Sequence, residues 1–506
     1  PVRTKPTGWS RHRVVITGTA RSAQLPTLWR CWKPKPTISF KQLLRLEGGS
    51  GWPHHLTLCR LVGRSLRRSD HTLIRLAPGS DPDWLVGLLV PLAMSEAPLA
   101  LVVSEPLRRR LLQVELPRLR AAGLGLPCWE GERAPDQARL WLLSHTDLVK
   151  AWRSDDLGLR QLVVPEAELL ETRLRQALEI SLENGHWEQL RRGLPAADAS
   201  LLSLHQRLSR RIFSHPQSPT TQVPLAAEEE APLRQLLKLF GPLPDPWPDW
   251  LASAGPRWAS WATADRQQLQ WQLHRQPLEP LELMQGLLNG RGVVLVGQLG
   301  KEATLAGINP RVVVDFAEPP LSDPLPLYVP LRQPLPNSPH YGHHLLDHSR
   351  RLVLAQAGLS IVLVEDPALR LSLASGLAAE FGSRVCHQNT APASNGVICC
   401  GWAWWLDHQD RLPLPCQLIV GPLPINSLED PLTAARVARL REQGRDWFRE
   451  LLLPEALGQL QRATACLRRG PGRLAILDGR VRSRSWGQQV FAKLEPWSGL
   501  NRLLPT

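Results

Sequence analysis

The chain has 506 residues, 43% of them apolar and 21% charged, an ordinary soluble balance with room for two to four domains, each with a core of its own. Its net charge is +14 and its isoelectric point about 10.0, and with lysine scarce nearly all of the positive charge is arginine. Eight cysteines form no CxxC pair and no zinc-ligand spacing, and the most apolar stretch, 84–103, is broken by Pro91, Ser95, Glu96 and Pro98, so neither a zinc ribbon nor a membrane span is expected.

In chain order, residues 1–70 read as a basic, tryptophan-containing leader with one short strand at 14–17 and a loop at Gly48-Gly49-Ser50-Gly51. No signal peptide opens the sequence, and a reducing, cytoplasmic setting fits its thiols. From 72 to 170 short apolar runs alternate with amphipathic stretches. The runs at 72–76, 99–103, 140–143 and 162–164 have the length of strands buried on both faces, which points to a parallel sheet with helices packed on it. Residues 171–285 turn leucine-rich and charged, then rich in proline and tryptophan, and read as a helical insertion. Strands return at 293–296 and 312–314, and a proline-rich passage, 319–339, reads as a linker. A second set of buried runs follows at 360–364, 397–400, 417–420 and 474–477. The expected class is α/β, with two parallel-sheet lobes. The expected divisions are a 1–70 basic segment, a first lobe from 71–170 plus 286–315, the 171–285 insertion, and a second lobe at 318–506.

The second lobe carries a resemblance. LPINSLEDP at 423–431 follows a strand and is similar to a family pattern LPFxxPxDP. Ala434-Ala435-Arg436, GRDWF at 444–448 and LPEA at 453–456 come next. QRATACLR at 461–468 stands where the family has QxxGRxxR, ILDGR at 476–480 where it has ILDxR, and Trp486-Gly487 where it has Tyr-Gly. Six partial matches in one order identify this lobe as resembling the DinG/XPD-type superfamily 2 DNA helicases. Thinner matches extend upstream: LYVP at 327–330, Leu335-Pro336-Asn337 and Tyr341, Ala403-Trp404-Trp405 for sFWEG, and VVPEAE at 163–168 for the end of the DEAH strand. The resemblance implies two RecA-like lobes, the P-loop NTPase fold, with ATP and Mg²⁺ as cofactors if the protein is active. It also implies single-stranded or duplex-junction DNA as partner, with repair or replication proteins, and no membrane.

The nucleotide motifs depart from that pattern. A P-loop needs glycines whose N–H groups wrap phosphate, a lysine on the β/γ-phosphates and a Ser/Thr on Mg²⁺. The matching passage, APGSDPDW at 77–84, offers Gly79 and Ser80, two aspartates and no lysine. No lysine occurs between Lys41 and Lys150. A like-charge pair at about 4 Å costs roughly 4 kcal/mol at an effective dielectric near 20, so Asp81 and Asp83 would oppose a triphosphate. A plain strand-to-helix turn is the alternative. In the DEAH position Pro165 replaces the metal-binding Asp, Glu166 remains for the attacking water, and Glu168 replaces the His. Gln461 and Arg468 match the γ-phosphate-sensing positions, while Ala465 replaces a second arginine. Arg468 also belongs to a run with Arg462, Arg469 and Arg473 that reads equally as a solvated basic face. The lobe-linking motif reads Val296-Gly297-Gln298-Leu299 and lacks its hydroxyls. Only Cys128 falls where relatives hold an iron–sulfur cluster, so none is expected. His340, His343, His344 and His348 cluster without a cysteine or carboxylate pattern beyond Asp347, and no metal site is expected.

For DNA, the resemblance points to Arg108 and Gln113 in the first lobe and to Trp404 and Trp405 in the second, with base stacking on Trp405 set against a packing role. The arginine excess suits a polyanion partner, and a high-GC genome writing arginine for lysine is the alternative. The 20 tryptophans suit stacking, yet large aromatics mostly fill cores. Three functions stay open: a working ATP-dependent helicase or translocase, a non-catalytic relative that binds nucleic acid, and an interaction or scaffold protein.

Overall fold

The computed structural model describes residues 12–16, 52–77, 80, 82–216, 221–299, 308–316 and 323–500. Two all-parallel sheets organise it. The first runs His12–Ile16, Val312–Phe316, His71–Arg75, Val293–Gly297, Gln161–Val164, Leu99–Val102, Leu140–Leu143 and Cys128–Trp129. The second runs Val385–His387, Val397–Cys400, Ser360–Leu363, Gln417–Val420, Arg473–Ile476, Leu325–Tyr328 and Trp497–Gly499. These are the two RecA-like lobes.

Side chains alternate across a strand, so each buried run feeds two cores. In the first lobe Leu99, Leu101, Leu140, Leu142, Val294 and Val296 face the helices His55–Arg68 and Trp84–Met94. Ala100, Val102, Trp141, Leu143, Val293 and Leu295 face the opposite layer, which includes His145–Arg153 and Leu170–Ala177. Helix Trp84–Met94 is buried from Trp84 through Leu92, which is why its sequence is apolar all round. The second lobe repeats the plan. Ile361, Leu363, Ile398 and Cys400 face one core, and Val362, Val364, Val397 and Cys399 the other.

Part of the signature segment acts as a fastener. Asp478 is fully buried and accepts the backbone N–H of Leu423 at 2.9 Å and of Arg480 at 2.9 Å. Arg480 closes the ring, pairing with Asp478 at 2.7 Å and donating to the Leu423 carbonyl at 3.2 Å. Asp430 accepts Thr433 N–H at 2.8 Å, capping helix Pro431–Glu442.

Between the two visits to the first sheet lies a unit that departs from expectation. Its helices are present, but they pack on a four-stranded antiparallel sheet of Ile180–Leu182, Gln270–Pro277, Trp258–Asp265 and Gln222–Pro224. Trp187, Trp247, Trp250 and Trp271 fill its core. Arg275 crosses that core almost wholly buried. It pairs with buried Glu230, lies 4.1 Å from the Trp250 ring centroid, and donates from Nε to Ser260 Oγ at 3.0 Å. The passage expected as a linker contributes a strand of the second sheet, Leu325–Tyr328. Among the described residues no helix is long and apolar enough to cross a membrane.

Removing one partner of a buried ion pair strands the other charge, at a cost of about 3–5 kcal/mol. Arg275→Ala is therefore expected to destabilise the inserted unit by that amount in urea denaturation followed by tryptophan fluorescence. Arg275→Met with Glu230→Leu should recover most of it. A loss under about 0.5 kcal/mol in the single variant would contradict this assignment.

Candidate nucleotide cleft and nucleic-acid interface

The segment matching a P-loop joins His71–Arg75 to helix Trp84–Met94. Gly79 and Asp81 lie outside the described residues. Ser80 is buried, and its hydroxyl donates to the Ala77 carbonyl at 2.8 Å while its N–H donates to the same oxygen at 3.1 Å. Asp83 stands at the helix start and takes Arg118 Nη1 at 3.2 Å. A carboxylate there suits the helix dipole and meets a cation of the protein's own.

Glu166 and Glu168 follow strand Gln161–Val164. Glu166 is not the surface glutamate that its loop position suggests. It is half-buried, and its Oε2 accepts Ser104 N–H at 3.0 Å. Burial pushes its pKa up, against the pull of Ser104 and Arg173, while Asp407 of the second lobe pushes the same way as burial. Glu168 Oε2 accepts Gln298 N–H at 3.0 Å. Burial pushes this carboxyl up to about 7, and the largest opposing influence is Arg462 from helix Leu453–Thr464 of the second lobe. Arg462 is itself half-buried, and Glu168, Glu166 and Glu455 support its charge. Arg173 reaches Asp407 across the lobes at 3.4 Å. Arg439 of the second lobe reaches Glu279 at 3.4 Å.

The expected sensing residues lie elsewhere. Gln461 donates from Nε2 to the Lys493 carbonyl at 3.2 Å. Arg468 donates to the carbonyls of Pro496, at 2.8 Å, and Leu494. Both are spent holding the C-terminal strand of their own lobe. The arginine run is solvated only at Arg469. Arg473 donates to Gln417 Oε1 at 2.7 Å and to the Leu352 carbonyl at 2.7 Å, and Arg469 pairs with Asp410 at 3.8 Å. Arg462, the second residue of QRATACLR, is the arginine that faces the first lobe; only its place within that QxxGRxxR-like segment could have singled it out.

No protein-family profile matches the chain. Over 176 residues, 32% of its length, it is 27% identical to the ATP-dependent DNA helicase YoaA of Escherichia coli (strain K12). That match spans only 28% of YoaA. Among solved structures, S. tokodaii Xpd4 superimposes with a TM-score of 0.59 at 13% identity, over 86% of this chain and 97% of the other. XPD in its apo form gives 0.57 at 13% identity, over 88% and 99%. In sequence over the stretch matched to YoaA and in fold over most of its length, the chain is similar to DinG/XPD-like superfamily 2 helicases. The structural likenesses speak for the two-lobed fold alone.

On that two-lobed frame the expected DNA contacts fare unevenly. Arg108 pairs with Glu130 at 2.8 Å. Gln113 is exposed on the turn Leu111–Glu115. Trp404 is half-buried and stacks on His408, with ring centroids 4.5 Å apart at 12°. Trp405 is fully buried, and its indole N–H donates to the Ala463 carbonyl at 3.0 Å. Its faces are taken up by the core, so it cannot stack on a base, which corrects the stacking expectation. In the histidine cluster, His340 and His343 are exposed. His348 Nδ1 lies 3.1 Å from the Tyr328 hydroxyl, and burial lowers its pKa to about 4. Among the described residues no group of three or more His, Cys, Asp or Glu could hold a metal ion.

Glu168 gives a pH signature. Its folded pKa of about 7 lies above the usual 4.5, so between those values the folded state holds a proton that the unfolded chain has released. Stability from this group is then lost as pH rises through that window. The stability of the wild type minus that of Glu168→Gln should fall between about pH 5 and about pH 8 in urea titrations. A difference that stays flat, or rises, would contradict the placement of this carboxyl.

Proposed function

We propose that this protein is a nucleic-acid-binding member of the helicase family that neither binds nor hydrolyses ATP productively. The observation that carries the reading is the set of charges at the cleft. A triphosphate with Mg²⁺ brings several phosphate charges and asks for a lysine, a metal-binding aspartate and free backbone amides. Here Asp83 takes Arg118, Ser80 turns its hydroxyl to Ala77, Pro165 stands at the aspartate position, and Arg462 is matched by Glu168 and Glu166. These residues do not fit the nucleotide.

What remains is a two-lobed frame in a chain with a basic surplus, and that surplus suits a polyanion partner. Repair or replication of DNA is the setting this implies. A cytoplasmic location accords with the seven free cysteines among the described residues. The active-helicase reading draws on the partial match to YoaA, whose name states ATP-dependent helicase activity.

Steady-state ATP hydrolysis, with and without single-stranded DNA, separates the two. No turnover above background is expected, in the wild type or in Glu166→Gln. Turnover stimulated several-fold by DNA and abolished in Glu166→Gln would establish the helicase reading instead.

A further inference from the structure

The surplus charge is not spread over the two lobes. Residues 1–70 hold 14 of the 60 Lys and Arg and 2 of the 46 Asp and Glu, which is +12 of the net +14. Residues 71–506 therefore share a net charge of +2. The arginines of the first-lobe segment where the family would seat DNA are already matched. Arg108 pairs with Glu130 at 2.8 Å, Arg109 with Glu105 at 3.2 Å, and Arg110 with Glu115 at 3.0 Å. Arg118 meets both Asp83 and Glu115. A cation matched in this way has little to gain from a phosphate.

Helix His55–Arg68 is different. His55, Leu58, Cys59, Leu61, Val62, Ser65 and Leu66 are buried against the first lobe. Gly87 on helix Trp84–Met94 lets the two helices close, since a Cβ there would lie 3.1 Å from the His55 carbonyl. That fixes which face points away. Arg60, Arg64 and Arg68 recur at four-residue spacing, so they form one stripe on the opposite face, with steps of about 6 Å along the axis. Arg67 stands beside them, its Nε donating to the Gly63 carbonyl at 3.2 Å. Among the described residues none of Arg60, Arg64 and Arg68 forms an ion pair with a carboxylate. The 54 residues that lead into this helix carry ten further Lys and Arg and a single acidic residue, Glu47.

We infer that the phosphate backbone of nucleic acid docks on the Arg60–Arg64–Arg68 stripe, not across the second-lobe tryptophans. This rests on the nucleic-acid-binding reading above and assigns that binding a place. Arg68 is exposed and Arg60 and Arg64 are half-buried; guanidinium groups along a helix face meet phosphates, not base edges, so the contact is insensitive to sequence and strongly dependent on salt.

The test is fluorescence anisotropy of a labelled single-stranded oligonucleotide against the full chain at several salt concentrations. The triple variant Arg60→Gln/Arg64→Gln/Arg68→Gln should bind on the order of tenfold more weakly or worse. Its slope of log affinity on log salt should be shallower by about 2, at roughly 0.7 for each phosphate no longer neutralised. The triple arginine-to-lysine variant should keep the wild-type slope, and thermal unfolding of both should match the wild type. Arg108→Gln/Trp404→Ala should leave affinity within about twofold, the size of an ordinary surface change. Unchanged binding in the glutamine variant, or loss of binding in Arg108→Gln/Trp404→Ala, overturns this inference alone. No binding by the wild type at low salt overturns the nucleic-acid reading with it. Binding to phosphatidylserine vesicles in preference to the oligonucleotide would reassign the stripe to a membrane surface.

Discussion

Strand Val293–Gly297 is the piece on which the rest of the first lobe depends. It is buried along its whole length and lies between His71–Arg75 and Gln161–Val164, two strands far earlier in the chain. Everything from 165 to 292 must leave the sheet and return in register for that strand to pair. At its end Gly297 has no side chain. A Cβ there would collide with the Glu168 carboxylate and come within 2.8 Å of Ala167 N. The bare backbone lets Ala167 N–H bond the Val296 carbonyl and lets Gln298 N–H bond Glu168. The same contact seats the carboxyl that faces Arg462. Lobe architecture, placement of the inserted unit and charge at the cleft are therefore one constraint seen at three scales.

Around that contact the molecule neutralises itself. Several of the charged groups that meet between the lobes are partly exposed and paired with one another. Arg173 meets Asp407, Arg439 meets Glu279, and Arg436 meets Glu455 at 2.7 Å and Glu171 at 3.9 Å. Apolar contact adds to this where Ala259, Trp261 and Leu278 of the inserted unit pack on Leu432 and Ala435. The surplus of arginine is left outside the cleft, on the N-terminal side of the chain.

What the sequence could say follows from how each element is buried. Strands covered on both faces read as unbroken apolar runs, so LWLL at 140–143 and VICC at 397–400 were legible to the residue. The inserted sheet was not, because WASWATAD and QWQLHRQP carry polar residues at half their positions and sit among prolines and tryptophans. Leu325–Tyr328 was hidden by its proline. At the cleft, residue type located Glu166 and Glu168, but pattern matching singled out Arg468, whereas the arginine that faces them is Arg462. Trp405 shows the limit most plainly: a motif gave its address, and only packing says that it faces inward. The charge stripe on His55–Arg68 needed both, the spacing from the sequence and the buried face from the fold.

The central claim is that this cleft is filled by the protein's own charges. Equilibrium binding of a fluorescent ATP analogue with Mg²⁺, in the presence and absence of single-stranded DNA, tests it most directly. No saturable binding at millimolar nucleotide is expected in either condition. Saturable micromolar binding that depends on Mg²⁺ and is tightened by DNA would contradict it.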